Sequence, residues 1–168
     1  MSESSISPLD ASALLRTLVE HDVSFVVVGG LAVAAHGYVR ATKDVDVVPR
    51  PDTENRKRLV RALEAMSAEP VDLADFGRDE LPVPFDAHAL EGGGNWALVT
   101  RHGRIDVMQW VPGAEHYERL RERAVAIDVP DAGVILFAGY EDLVAMKRAA
   151  GRPEDRLDLQ RLAEARGR

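Results

Sequence analysis

The chain has 168 residues, 46% of them apolar, which is enough to bury one core. It has no cysteine, so disulfides, thiolate metal sites and cysteine nucleophiles are excluded. A net charge of −7 argues against a general nucleic-acid coat, and the polar start MSESSISPLD lacks the basic flank and apolar stretch of an export signal.

Ser7 and Pro8 predict the start of a first helix, with Ser7 as N-cap and Pro8 at the tolerated first position. Leu14, Leu15, Leu18 and Val19 would form its apolar stripe. Residues 25–28 read as a buried strand ended by Gly29 and Gly30, and residues 31–36 as a short apolar helix. This apolar stretch is far short of a membrane span, and the expected location is the cytoplasm.

A second strand follows, carrying Asp44 and Asp46. Side chains alternate along a strand, so both aspartates leave one face while Val45 and Val47 leave the other. Their backbones then sit roughly 6–7 Å apart, and both carboxylates reach one small cation. Two such anions repel by about 4 kcal/mol at 4 Å and an effective dielectric near 20. A strand has little reason to accept that cost unless something positive binds there.

Pro49 and Pro51 are expected to stop the strand, and Asp52 to cap a long helix with Leu59, Val60, Leu63 and Met66 inward and Arg56, Lys57, Arg58 and Arg61 outward. Residues 69–94 predict a loop-rich connection with one short helix. Their Gly92-Gly93-Gly94 run is not a phosphate loop, because no Gly-Lys-Ser/Thr follows. Residues 96–100 and 104–110 read as two strands around a short turn, with Asp106 the only acid in the second. A helix over 114–123 and strands over 124–129 and 134–137 come next. A helix over 140–150 then ends at Gly151, and Pro153 starts a last helix that carries Leu157, Leu159 and Leu162, with a frayed end at 166–168.

Charge is unevenly spread. Residues 40–61 hold seven basic and four acidic side chains, as do residues 147–168, whereas residues 69–91 hold seven acids against Arg78. Solvated helix faces account for much of this. The five histidines show no ligand spacing and no Gly-x-Ser-x-Gly elbow is present, so neither zinc chemistry nor serine hydrolysis is indicated.

Val28-Gly29-Gly30, thirteen residues and then Asp44-Val45-Asp46-Val47 resemble the signature of the DNA polymerase β nucleotidyltransferase superfamily. The wording between them, HGYVRATKDVDV over 36–47, is similar to small bacterial AbiEii-like enzymes associated with toxin–antitoxin systems. The apolar-Asp-apolar element at Asp106 matches the third carboxylate of the superfamily. EDLVAMKRAAGRPEDRLDL over 141–159 resembles the later AbiEii-like motifs, with Lys147, Asp155 and Asp158 the matching residues. One departure is Gly30, where many relatives carry serine, which removes a hydroxyl contact to phosphate.

The resemblance implies one α+β nucleotidyltransferase domain over 1–168, a mixed sheet with helices packed on one side and C-terminal helices closing a cleft. It also implies NTP and magnesium or manganese, with Asp44, Asp46 and Asp106 as metal ligands and catalytic residues. Two ions about 3.5–4 Å apart would clamp the attacking and leaving oxygens. Gly29, Gly30, Arg40, Thr42, Lys147 and Asp158 would bind nucleotide, Lys147 also serving catalysis. On its helix Lys147 shares a face with Leu143 and Val144, from which lysines also snorkel. If Lys147 binds phosphate, its replacement by alanine is expected to weaken nucleotide binding with little loss of stability, as at an exposed face. Three functional classes follow: a transferase acting on RNA, tRNA first, with an antitoxin partner; the same chemistry on an antibiotic or protein; and a non-catalytic interaction module.

Overall fold

The computed structural model describes residues 7–71 and 86–168. Helix α1 (Ala11–Glu20) leads to strand β1 (Phe25–Val28), which runs directly into helix α2 (Gly29–Ala35). Strand β2 (Asp44–Pro49), helix α3 (Thr53–Ala65) and the two-residue β3 (Glu69–Pro70) follow. After helix α4 (Ala87–Glu91) come the hairpin of β4 (Trp96–Thr100) and β5 (Gly103–Val107), then helix α5 (Tyr117–Arg123). A second hairpin, β6 (Val125–Val129) with β7 (Gly133–Phe137), precedes helices α6 (Tyr140–Ala150) and α7 (Pro153–Arg166). No helix among the described residues is long and apolar enough to cross a membrane.

The strands form one mixed sheet in the order β3-β4-β5-β2-β1-β7-β6. Strand β2 lies at its middle, antiparallel to β1 and parallel to β5. All four residues of β1 are buried, as a strand covered on both faces requires. Across residues 44–47 of β2 and the whole of β5 the alternation is clean: Val45, Val47, Ile105 and Val107 are fully buried, while Asp44, Asp46, Arg104 and Asp106 between them stay partly open. Leu14 and Leu18 of α1 and Leu59 and Leu63 of α3 join the same core cluster, each worth ~1.5–3 kcal/mol on burial. Helix α2 packs on β1, β2 and β7 and touches α6, which in turn packs on α7. This is the mixed α+β architecture that the sequence implies.

Several boundaries differ from the sequence expectation. Helix α1 is capped by Asp10, whose Oδ1 accepts the Ala13 N–H at 3.0 Å, so Ser7 and Pro8 lie ahead of it. Val19 turns outward, at 38% exposure, because the three leucines already fill the inward stripe. Pro49 remains inside β2 as its last residue, opposite Phe25. Helix α2 begins at Gly29 itself, and α5 begins at Tyr117. Strand β5 stops at Val107, because Gln109 and Trp110 leave the ladder to bond with residues 90–95. Asp52 caps α3 as expected. Part of the expected 69–94 connection, residues 72–85, lies outside the described residues.

The last helix departs most. Leu157 is exposed and Leu159 only half-buried, while Asp155, Asp158 and Leu162 are the buried positions of α7. Arg166 is not frayed: it pairs with Glu141 at 2.7 Å and lies 4.0 Å over the Tyr140 ring.

Candidate active site

Strand register builds the centre of the site. Asp46 and Asp106 are direct partners on parallel neighbours β2 and β5, and Asp44 is opposite Arg104. Alternation then sends Asp44, Asp46 and Asp106 out of one face, where one oxygen from each lies within 4.8 Å of the others. Burial raises the Asp46 carboxyl, and the charges of Asp44 and Asp106 add to it, pushing it up to about 8. Burial and then Asp106 also raise Asp44. Arg104 gives partial relief, its Nε standing 3.1 Å from Asp106 Oδ1 and 3.9 Å from Asp44 Oδ2.

An all-oxygen donor set with surplus negative charge fits a hard divalent ion, magnesium or manganese. Burial first, and then the two neighbouring carboxylates, raise the proton affinity of Asp46, and a cation bound here would relieve the repulsion.

Gly29 and Gly30 sit against this cluster. Gly29 has φ +69°, and a Cβ there would come 2.0 Å from Asp46 Oδ2, so both conformation and space require glycine. A Cβ at Gly30 would come 2.4 Å from Thr42 Cγ2, with the Arg40 guanidinium 3.4 Å away. Thr42 therefore occupies the room that a serine at position 30 would need. The aspartates, both glycines, Arg40, Thr42 and Lys43 line one cavity of about 550 Å³, walled on the far side by α6 and α7. That volume suits a nucleotide-sized ligand.

On the far wall lies a second charged group. Lys147 is 5% exposed and reaches Asp155 Oδ1 at 3.0 Å and Asp158 Oδ2 at 2.9 Å. Arg40 grips Asp158 with two bonds of 2.9 Å, and Arg152 grips Asp155 through Nε at 2.9 Å and Nη2 at 3.2 Å. Burial opposes the ionisation of both aspartates, but these bonds outweigh it and hold both carboxyls below the usual range. The Asp158 bonds in turn raise Arg40.

The residues singled out from sequence thus fall into two sets. Asp44, Asp46, Asp106, Gly29, Gly30 and Thr42 meet at one end of the cavity. Lys147, Asp155 and Asp158 form a closed ionic network that Arg40 ties to the loop before β2. Lys147 is not on an exposed face, as the expectation of an unchanged melting temperature supposed: it is buried between two carboxylates. Sequence reasoning missed Arg104, although its place two residues before Asp106 on a strand puts it on the same face. It also passed over Lys43, which lines the cavity without an ion pair among the described residues.

A family model described as a nucleotidyltransferase of unknown function, DUF6036, matches residues 8–163. No curated protein matches the chain. Among solved structures, the antibiotic-resistance factor ANT(2″)-Ia is 16% identical, with a TM-score of 0.55 over 90% of this chain and 81% of that one. It has also been crystallised with adenylyl-2″-tobramycin. An antigenic nucleotidyltransferase-like protein of Paracoccidioides brasiliensis is 16% identical, at TM-score 0.54, covering 95% of this chain and 78% of its own. A candidate nucleotidyltransferase of Thermotoga maritima is 15% identical, at 0.53, covering 94% and 96%. At these identities the likeness is one of fold.

Proposed function

The chain belongs to the nucleotidyltransferase family DUF6036, and we propose that it moves a nucleoside monophosphate from an NTP to an acceptor hydroxyl, with RNA, and tRNA 3′ ends first, as acceptor. The observation that carries this reading is the meeting of Asp44, Asp46 and Asp106 beside Gly29-Gly30 in one cavity. In the reaction a bond forms between the acceptor oxygen and the α-phosphorus, the bond to the bridging oxygen breaks, and pyrophosphate leaves. Asp106 takes the proton of the acceptor hydroxyl, a role worth roughly 10²–10⁴ in rate. A divalent ion held by the three aspartates would neutralise charge on the leaving pyrophosphate. Lys43 supplies a free cation to the phosphates, and Arg40, fixed by Asp158, presents the rest of its guanidinium beside Gly30. Lys147 fixes that wall of the cavity.

The proposal includes residues 1–168 acting as one domain and, from the likeness of 36–47 and 141–159 to AbiEii-like enzymes, a toxin-like role with a cognate antitoxin. A second reading, an antibiotic acceptor, is favoured by the fold shared with ANT(2″)-Ia. Lys43 and the exposed Arg152 on the cavity favour an anionic acceptor over a cationic drug. The test supplies each α-labelled NTP with magnesium to total tRNA, to aminoglycosides and to cell lysate in parallel. Label on tRNA, lost in Asp46→Ala and falling steeply with salt, is the expected result. Label only on drug or protein overturns the acceptor, and no label with no nucleotide binding overturns the chemistry.

A further inference from the structure

Trp110 is 67% exposed, the one aromatic among the exposed large hydrophobic residues of the described chain. A scattered exposed hydrophobe needs no functional account, but this one is held in place. Asn95 clamps its backbone twice: Nδ2 donates to the Trp110 carbonyl at 2.8 Å, and Oδ1 accepts the Trp110 N–H at 3.0 Å. The Gln109 side-chain amide donates to the carbonyls of Leu90 and Gly94, both at 2.9 Å. On the other side Gly113 approaches α6 so closely that a Cβ would lie 2.4 Å from the Ala145 carbonyl oxygen. The segment is pinned at both ends while its indole faces water.

Its position gives that rigidity a use. Trp110 follows Asp106 by four residues, so the two Cα atoms are at most about 14 Å apart. Its neighbours Met108, Val111 and Pro112 line the cavity that holds the three aspartates. Beside the clamp, a Cβ on Gly93 or Gly94 would meet nothing within 4 Å, so the surface next to Trp110 is open. One indole is too small for a protein docking face, which takes about 800 Å² per partner. A planar, weakly hydrated group near a reacting end suits it better.

We propose that Trp110 is a stacking platform for an unpaired base of the acceptor strand, a nucleotide or two from the reacting hydroxyl, which makes single-stranded RNA ends the acceptor class. This rests on the RNA-acceptor reading above and sharpens it. Stacking on an aromatic face tolerates any base, because every base has a π-face. The acceptor would therefore be chosen by being unpaired more than by its sequence.

The experiment follows intrinsic fluorescence of the full chain, whose other tryptophan is Trp96. The titrants are a short single-stranded RNA, the same strand as duplex, and the strand made abasic over its 3′ nucleotides. The single strand is expected to quench Trp110 emission. Its dissociation constant should rise about 5- to 150-fold in Trp110→Ala, the range of one stacked base. Trp110→Phe should bind close to wild type, duplex and abasic strands should show no dependence on residue 110, and NTP binding should be the same in all three proteins. Equal single-strand affinity in wild type and Trp110→Ala overturns the proposal, as does equal binding of abasic and intact strands. A Trp110-dependent increase in molar mass without RNA overturns it too, by showing a contact between copies. The titration needs no turnover, so it decides on stacking even if no α-labelled NTP marks any acceptor, which is the separate failure of the transferase reading.

Discussion

Asp155 lines the same cavity as Asp44, Asp46 and Asp106, yet the two groups of aspartates, Asp155 with Asp158 and the three on β2 and β5, are treated in opposite ways. Asp155 and Asp158 are almost wholly buried, and each is gripped by two cations, Lys147 with Arg152 or with Arg40. Asp44, Asp46 and Asp106 are more open, yet among the described residues only Arg104 makes an ion pair with them. Burial disfavours the charged form in both places. The network of α7 overcomes it and stays ionised, whereas the cluster on β2 and β5 does not, and Asp46 is pushed up to about 8. The first arrangement is complete within the chain. The second lacks enough cationic partners among the described residues, and a cation from outside would complete it, which is why we propose it as the site and the other as its support.

Removing one charge from each group should therefore have opposite consequences. Lys147→Ala leaves two carboxylates buried with half their partners, a change that typically costs about 3–5 kcal/mol. For a chain of this size that lowers the melting temperature by roughly 6–20 °C, readable by circular dichroism. A variant that melts like wild type would show that the α7 network is not structural, and the contrast would collapse.

Asp46→Asn should do the reverse in metal-free protein. Asp46 already holds its proton for the most part at neutral pH, so a neutral amide of the same shape leaves the melting temperature close to wild type. Manganese affinity should fall by more than about 100-fold, beyond the 10–100-fold typical of residues that merely support a metal ligand. Calorimetry on wild type and variant checks both parts. Unchanged manganese binding would remove the cluster from the metal site.

The two groups also carry opposite pH signatures. The folded-state pKa of Asp46 lies above its unfolded value of 3.8, so the native state binds more protons and stability contributed there is lost as pH rises from 3.8 to about 8. Asp155 and Asp158 lie below 3.8, so their contribution is present above that value and lost as pH falls through the folded pKa. Because a metal must displace the Asp46 proton, manganese should raise the melting temperature more at pH 8 than at pH 6. Equal shifts at both would place the metal elsewhere.

The sheet and the site face were legible because period-two alternation needs no tertiary knowledge: once residues 44–47 read as a strand, Asp44 and Asp46 had to share a face. The register that sets Asp106 opposite Asp46 is a long-range pairing, and only the resemblance at that position hinted at it. The α7 network was hidden for a different reason. Leu157, Leu159 and Leu162 are the apolar residues that catch the eye in this helix, and a buried face made of Asp155 and Asp158 is favourable only when Lys147, Arg40 and Arg152 are already in place. Local pattern cannot see those partners. Boundaries moved where one side chain decided, as when Asp10 in place of Ser7 capped α1.

Arg104 offers the finest cut at the contrast, with the smallest effect. It is the cation that the β2–β5 cluster already has, but its side chain is 43% exposed and it touches the carboxylates from the rim. An ion pair that open is worth ~0–1 kcal/mol, far less than the bonds made by Lys147. Arg104→Gln should therefore leave the melting temperature within a few degrees of wild type. Because the guanidinium and a metal ion compete for Asp44 and Asp106, manganese without nucleotide should bind up to about 5-fold more tightly in the variant. Weaker binding would mean that Arg104 orients the carboxylates for the ion instead of standing in for it. The β2–β5 cluster would then carry its own internal support, as the α7 network does, and the difference between the two would be one of degree.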